Sequence, residues 1–193
     1  MPPRMPDTRN KILDAAEELL QESGFSNFSY QDIATDLGIK KAAIHYHFPA
    51  KADLGVSLVH RYLERLQDFI RESDTKGLTP RQGIEAYFAV AINYLRYGAK
   101  VCPLGVLEAE FHAIPEIMQK EIRILDESTR DWLQGLLEAG LESGEFKFSG
   151  SANDKALLIV AAVQGALQIA RAAGPKVLFN TLRQIKQELF VSP

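Results

Sequence analysis

Apolar residues recur along this chain with the spacing of helix faces. Ile12, Ala15, Ala16 and Leu19 follow the i, i+3, i+4, i+7 pattern of one face. Thr8 can cap the start of this first helix, and Gly24 marks its end. Ser29 caps an expected second helix that runs to about Asp36. Gly38 breaks the pattern, and a third short helix is expected from about Lys40 to Tyr46, stopped by Pro49. A longer helix follows from about Ala50 to Arg71, with Leu54, Leu58, Val59, Tyr62, Leu66 and Phe69 on its apolar side. The segment 73–78 reads as a polar loop. Thr79, Pro80 and Gln82 form a capping-box arrangement for a helix expected to reach Tyr97 and end at Gly98. Pro103 opens a short helix to about Ala113, and Pro115 opens a long one to about Gly140. After a turn-rich stretch containing Phe146 and Phe148, Ser151 caps a very apolar helix to Ala173. Gly174 and Pro175 break it, and a last helix runs to about Val191.

No segment alternates with period two over a strand's length, so the expected fold is all-α, with about nine helices. Residues 1–50 read as a three-helix, helix-turn-helix domain and 51–193 as a second helical domain. At 193 residues and 46% hydrophobic content, the chain can bury a sizeable core. The net charge of −3 counts against a protein that coats nucleic acid without sequence preference, since such proteins are strongly basic. Cys102 is the one cysteine, which excludes an internal disulfide and fits a reducing, cytoplasmic setting. Met1 to Met5 hold two prolines and no apolar run, unlike a secretory leader. The charge-free stretch from Ala156 to Ala170 is shorter than the roughly 20 apolar residues of a membrane span and includes Gln164 and Gln168, so it reads as a buried helix.

Tyr30 to Lys51 is the informative stretch. Two short helices flank Leu37, Gly38 and Ile39. A first helix that passes close to a second needs a small residue such as Ala34 at the crossing, and glycine at Gly38 takes the positive φ of the turn. Ile33, Leu37, Ile39 and Ile44 are then expected to fill the space between the helices. That leaves Lys40, Lys41, Ala42, His45, Tyr46 and His47 on or beside the outer face of the second helix, with no acidic residue between Lys40 and Lys51. Such a face can enter a major groove while its cations bind phosphates, and small alanines allow close approach to a thymine methyl. The local charge is opposite in sign to the global one. His45 and His47, two residues apart, lie on different sides of a helix and do not read as a metal pair.

The run from Phe28 to Leu54, FSYQDIATDLGIKKAAIHYHFPAKADL, resembles the signature of the TetR family of transcriptional regulators. The matching residues are Ile33-Ala34, Gly38, Tyr46-His47-Phe48 and Lys51, with His45 standing where the family commonly has an aromatic tyrosine. The resemblance implies a homodimeric, ligand-responsive regulator that binds a double-stranded, palindromic DNA operator, a repressor on the main reading and an activator as the alternative. It implies recognition-helix contacts by Lys40, Lys41, Ala42, His45, Tyr46 and His47, and phosphate contacts by Ser29, Tyr30 and Lys51. Arg4 and Arg9 are expected within reach of the backbone or minor groove.

The helix from Ser151 to Ala173 is apolar on nearly all faces and so must be buried on nearly all faces. With the last helix (Val177, Leu178, Leu182, Ile185, Leu189) it is expected to pair with its copy, Ala161, Ala162, Gly165 and Ala166 permitting close packing. The alternative is a helix that simply forms its own domain's core. By resemblance an effector pocket is expected in the second half. Tyr87, Phe88, Tyr94, Phe111, Met118, Trp132 and Gln164 are its candidates, with core packing as the alternative for each. Cys102 precedes Pro103 at a helix start, with Lys100 nearby, which favours a reactive thiol and a redox- or electrophile-responsive regulator. Its alternative is a buried apolar cysteine.

Glu108, Glu110 and His112 cluster in one short segment, the arrangement closest to an enzyme site. The chain has no HExxH, GxxxxGK or GxSxG, and acid beside histidine is the pattern of a surface ion pair. No enzyme activity, metal or cofactor is therefore expected.

Overall fold

The computed structural model describes residues 8–96 and 100–191. Arg4 and the helix end expected at Gly98 lie outside them. Among the described residues the chain forms nine helices and no strand: α1 (Thr8–Ser23), α2 (Tyr30–Leu37), α3 (Lys41–His47), α4 (Lys51–Thr75), α5 (Pro80–Arg96), α6 (Pro103–Ala109), α7 (Glu116–Glu142), α8 (Ala152–Ala173) and α9 (Lys176–Leu189).

Two helix ends differ from the sequence reading for local reasons. α4 continues through Ser73 to Thr75, because both hydroxyls fold back onto carbonyls four residues earlier, Ser73 on Phe69 O at 2.8 Å and Thr75 on Arg71 O at 2.7 Å. Polar side chains that bond their own helix need not end it. α6 stops at Ala109 rather than near Ala113, and its place is taken by a turn in which Ala113 N–H donates to Glu110 O at 2.7 Å.

The helices fall into two compact units. The first takes the described part of residues 1–64 together with Pro103–Leu125. The proposed DNA-binding domain of residues 1–50 lies within its range, and the start of α4, α6 and the start of α7 join it. Here α1 touches α2, α3 and α6. Ile12, Ala16, Leu20, Ile33, Ile44 and Leu54 are fully buried. Gly55 on α4 gives Met118 of α7 its place. A Cβ at Gly55 would stand 2.4 Å from the methionine sulfur, and Met118 is fully buried in the notch.

The second unit takes Arg65–Cys102 and Asp126–Pro193. Its core joins Ile84 and Phe88 of α5, Leu133 and Leu137 of α7, Ile159, Val163 and Leu167 of α8, and Leu178, Leu182 and Leu189 of α9. Phe146 and Phe190 stack at 5.5 Å and form an isolated antiparallel bridge that ties the α7–α8 connection to the end of α9.

α8 departs from the all-round burial expected of it. Ala156, Ile159, Val160, Val163, Ala166, Leu167 and Ala170 are buried, but Leu157, Leu158 and Ile169 are more than half exposed. Ala166, expected on a pairing face, is turned into the unit's own core, as are Leu178, Leu182 and Leu189 of α9. At 22 residues α8 is also longer than the charge-free stretch suggested, and among the described residues it is the one helix long and apolar enough to cross a membrane. A core helix has the same length and composition, and α8 packs closely on α9 and α5.

Two glycines of α7 offer a paired test of this packing. A Cβ at Gly140 would stand 2.0 Å from the Phe146 ring, whereas nothing lies within 4 Å of one at Gly135. Gly140→Ala is expected to destabilise by about 1–3 kcal/mol through overpacking. Gly135→Ala is expected to stabilise by up to about 1 kcal/mol through helix propensity. Chemical denaturation of both variants checks the opposite signs.

Candidate nucleic-acid interface

The turn between α2 and α3 is built by capping at both ends of α2. Ser29 is the N-cap; its hydroxyl oxygen accepts from Gln31 N–H at 3.1 Å, while Asp32 accepts from Ser29 N–H at 2.7 Å. At the other end Gly38 adopts φ 62° and ψ 34°. There Gly38 N–H donates to Thr35 O at 3.3 Å and Ile39 N–H to Ala34 O at 3.0 Å, a Schellman closure that needs the left-handed residue. Ala34 is buried where the two helices approach, and Ile33 and Ile44 are fully buried beside it, while Leu37 and Ile39 are only half-buried.

This packing turns the rest of α3 outward. Lys40, Lys41, Ala42, His45 and Tyr46 are exposed, and His47 is half-buried. Tyr46 stands 84% exposed, an unusual position for a large ring, with its edge-to-face partner His47 at 5.1 Å. His45 is oriented by two contacts, an edge-to-face pairing with Tyr30 at 4.9 Å and an Nδ1 to Pro49 O distance of 3.3 Å. A carbonyl only accepts, so that bond needs Nδ1 protonated and leaves Nε2 as the outward nitrogen.

Several residues expected at phosphates have internal work here. Tyr30 is buried and donates its hydroxyl to Phe48 O at 2.8 Å, tying α2 to the end of α3. Burial, with a smaller contribution from the Asp53 carboxylate, pushes the Tyr30 pKa up to about 12. Lys51 is half-buried, and its ammonium donates to Phe25 O at 2.5 Å and to Phe28 O. It lies over both rings as well, 4.6 Å from Phe25 and 4.4 Å from Phe28. Burial lowers its pKa, and the nearby carboxylates of Glu110 and Asp32 oppose that. The Ser29 hydroxyl is used in the cap and on Asp32 at 2.8 Å. Arg9 lies 5.1 Å over the Phe48 ring and donates to Ser57 Oγ at 3.2 Å. The structure thus turns Lys40, Lys41, Ala42, His45 and Tyr46 outward with His47 half-buried beside them, and sets Tyr30 and Lys51 behind them, while Arg9 is itself exposed.

The expected pocket residues divide between the units. Met118 fills the notch at Gly55, and Phe111 lies under the Arg123 guanidinium at 4.9 Å, both in the first unit. Tyr87, Phe88, Tyr94, Trp132 and Gln164 belong to the second. There Trp132 packs edge-to-face on Phe69 at 5.2 Å and on Tyr87 at 6.1 Å, a contact the sequence did not suggest. An open groove of about 510 Å³ runs between α5 and α9, and of the seven candidates it uses only Phe88; Arg81, Glu85, Phe179, Arg183 and Lys186 line it too. Cys102 is half-buried and packed against the apolar core of the second unit.

Tyr30 gives a pH test. Its raised pKa favours the folded state fully below pH 10, the unfolded value, and that contribution is lost as the pH climbs from 10 towards 12. Tyr30→Phe is expected to flatten this loss in denaturation curves taken across that window. At neutral pH it is expected to cost about 1–3 kcal/mol, because Phe48 O loses its partner. A wild-type slope in the variant would show that another group titrates.

Comparison with known proteins agrees with this geometry. Residues 12–57 match the family described as bacterial regulatory proteins, tetR family. A TetR-family transcriptional regulator from Agrobacterium tumefaciens has a solved structure that is 30% identical, covers 95% of this chain and 97% of its own, and superposes with a TM-score of 0.89. A TetR regulator from Legionella pneumophila is also 30% identical, with coverages of 95% and 98% and a TM-score of 0.86. The HTH-type transcriptional repressor DhaR of Mycobacterium sp. (strain GP1) is 22% identical over 161 residues, 82% of this chain and 80% of its own length. With the helix-turn-helix geometry above, these likenesses place the chain in the TetR family of DNA-binding transcriptional regulators.

Proposed function

We propose that the protein is a homodimeric repressor that holds a palindromic operator through α3 and leaves it when a small molecule binds the second unit. The acid-free surface of Lys40, Lys41, Ala42, Tyr46 and His47 carries this reading. It is cationic, exposed apart from half-buried His47, and set in a chain whose net charge is −3. Lys40 and Lys41 meet phosphates, while Tyr46 and His47 offer donors to base edges. Tyr30 and Lys51 hold the helix in place. His45 adds Nε2 as a further donor or acceptor.

Two such surfaces are needed to read two half-sites, and the exposed apolar residues of α8 support the pairing. Leu157, Leu158 and Ile169 are 51%, 57% and 56% exposed, and nothing lies within 4 Å of a Cβ built at Gly165 on the same helix. Pairing of two copies along α8 removes this apolar surface from water. The effector site is assigned to the second unit, around Tyr87, Phe88, Tyr94, Trp132 and Gln164, and the operating compartment to the cytoplasm. The regulator is not an enzyme on this reading. Of the three residues closest to an active site in the sequence, Glu110 spends its carboxylate on Ser26.

Selection of genomic fragments by the purified protein, followed by titration across salt, tests the function. A palindromic site bound far above competitor is expected. Lys41→Ala is expected to weaken binding and to reduce the slope of log affinity against log salt by about one, as for the loss of one phosphate contact. Binding without sequence preference would refute the reading. Leu158→Glu is expected to give monomers in sedimentation and to weaken operator binding; a dimer that persists would move the interface elsewhere.

A further inference from the structure

Just beyond the end of α6, the Glu110 side chain reaches the turn between α1 and α2. Its Oε2 accepts from Ser26 N–H at 2.9 Å and from Ser26 Oγ at 3.0 Å. Its Oε1 stands where a side chain at residue 24 would begin. A Cβ built on Gly24 would lie 2.0 Å from that oxygen, and Gly24 has φ 92°, a conformation that favours glycine. The carboxylate is also one of two that favour the charged form of Lys51.

The turn is therefore gripped from two sides. The Lys51 ammonium takes the carbonyls of Phe25 and Phe28, and the Glu110 carboxylate takes the N–H and hydroxyl of Ser26. Ser29, the N-cap of α2, comes three residues after Ser26. Whatever fixes the turn fixes where α2 begins, and α2 carries α3 through the closure at Gly38. We propose that Glu110 is a positioning residue for DNA recognition, its carboxylate setting the pose of α2 and hence of α3. This rests on the DNA-binding reading above, and it gives the acidic residue a role without contact to DNA.

The test uses the full-length chain and the operator selected by the wild type. Glu110→Ala is expected to weaken operator binding about tenfold, and Gly24→Ala, which both expels the carboxylate and strains the left-handed backbone, at least as much. The salt slope is expected to stay at the wild-type value, because no phosphate contact is removed. Affinity for random duplex is expected to hold, since that depends on charge rather than pose. Glu110→Gln keeps an acceptor for Ser26 and is expected to recover most of the affinity, and Ser26→Ala in the Glu110→Ala background is expected to add nothing. A folded Glu110→Ala protein that binds the operator as the wild type does, or that loses random duplex equally, overturns the proposal. Should both alanine variants fail to melt cooperatively, Glu110→Asp, which shortens the reach to Ser26 by one methylene, decides. Weaker operator binding at unchanged salt slope supports the role, and wild-type binding overturns it. A wild-type chain that selects no operator overturns the DNA-binding reading as well, whereas wild-type binding with an indifferent Glu110→Ala overturns this inference alone.

Discussion

Lys51 gives up part of its hydration when it folds under the α1–α2 turn, and an ammonium that loses water must find other oxygens. It finds the carbonyls of Phe25 and Phe28, with both aromatic rings beneath the charge. That one group joins the start of α4 to the segment between α1 and α2. Tyr30 makes the second tie, from the start of α2 to the last carbonyl before Pro49. Between them α2 and α3, which alone are too short to persist in water, are tied to their neighbours.

Function follows from what these ties leave uncovered. With Ile44 and Phe48 fully inside, the helical period of α3 sends Lys41, Ala42, His45 and Tyr46 outward. The surface is small and cationic within a chain whose net charge is −3, so its local charge is opposite in sign to that of the chain as a whole. A second uncovered surface is the apolar side of α8. The two differ in chemistry, one carrying charge and donors, the other exposed leucine and isoleucine side chains.

Within the site, legibility tracked the range of the interaction. The cap at Ser29, the positive φ at Gly38 and the small Ala34 at the crossing were readable, because each is a relation between residues a few positions apart. The roles of Tyr30 and Lys51 were not, since their partners lie 18 to 26 residues away along the chain and are backbone carbonyls, which carry no sequence signal. Glu110 was noticed for its neighbours Glu108 and His112, yet its partner is Ser26, 84 residues distant. Only Gly24 hinted at the approach, and a glycine at a helix end reads first as a stop signal.

The chain alone determined its all-α class, the nine helices found among the described residues and the turn chemistry of the helix-turn-helix, because periodicity, caps and breakers are local. It also determined which residue types α3 presents and the absence of acid among them. Tertiary structure decided which of those side chains stay free for a ligand. It placed Pro103–Leu125 with the DNA-binding helices, sent Met118 into the Gly55 notch, and left α8 half uncovered. Such outcomes depend on which surfaces meet. A lysine, a tyrosine or a leucine has the same composition whether it faces solvent or core, and only the packing of distant segments assigns it to one.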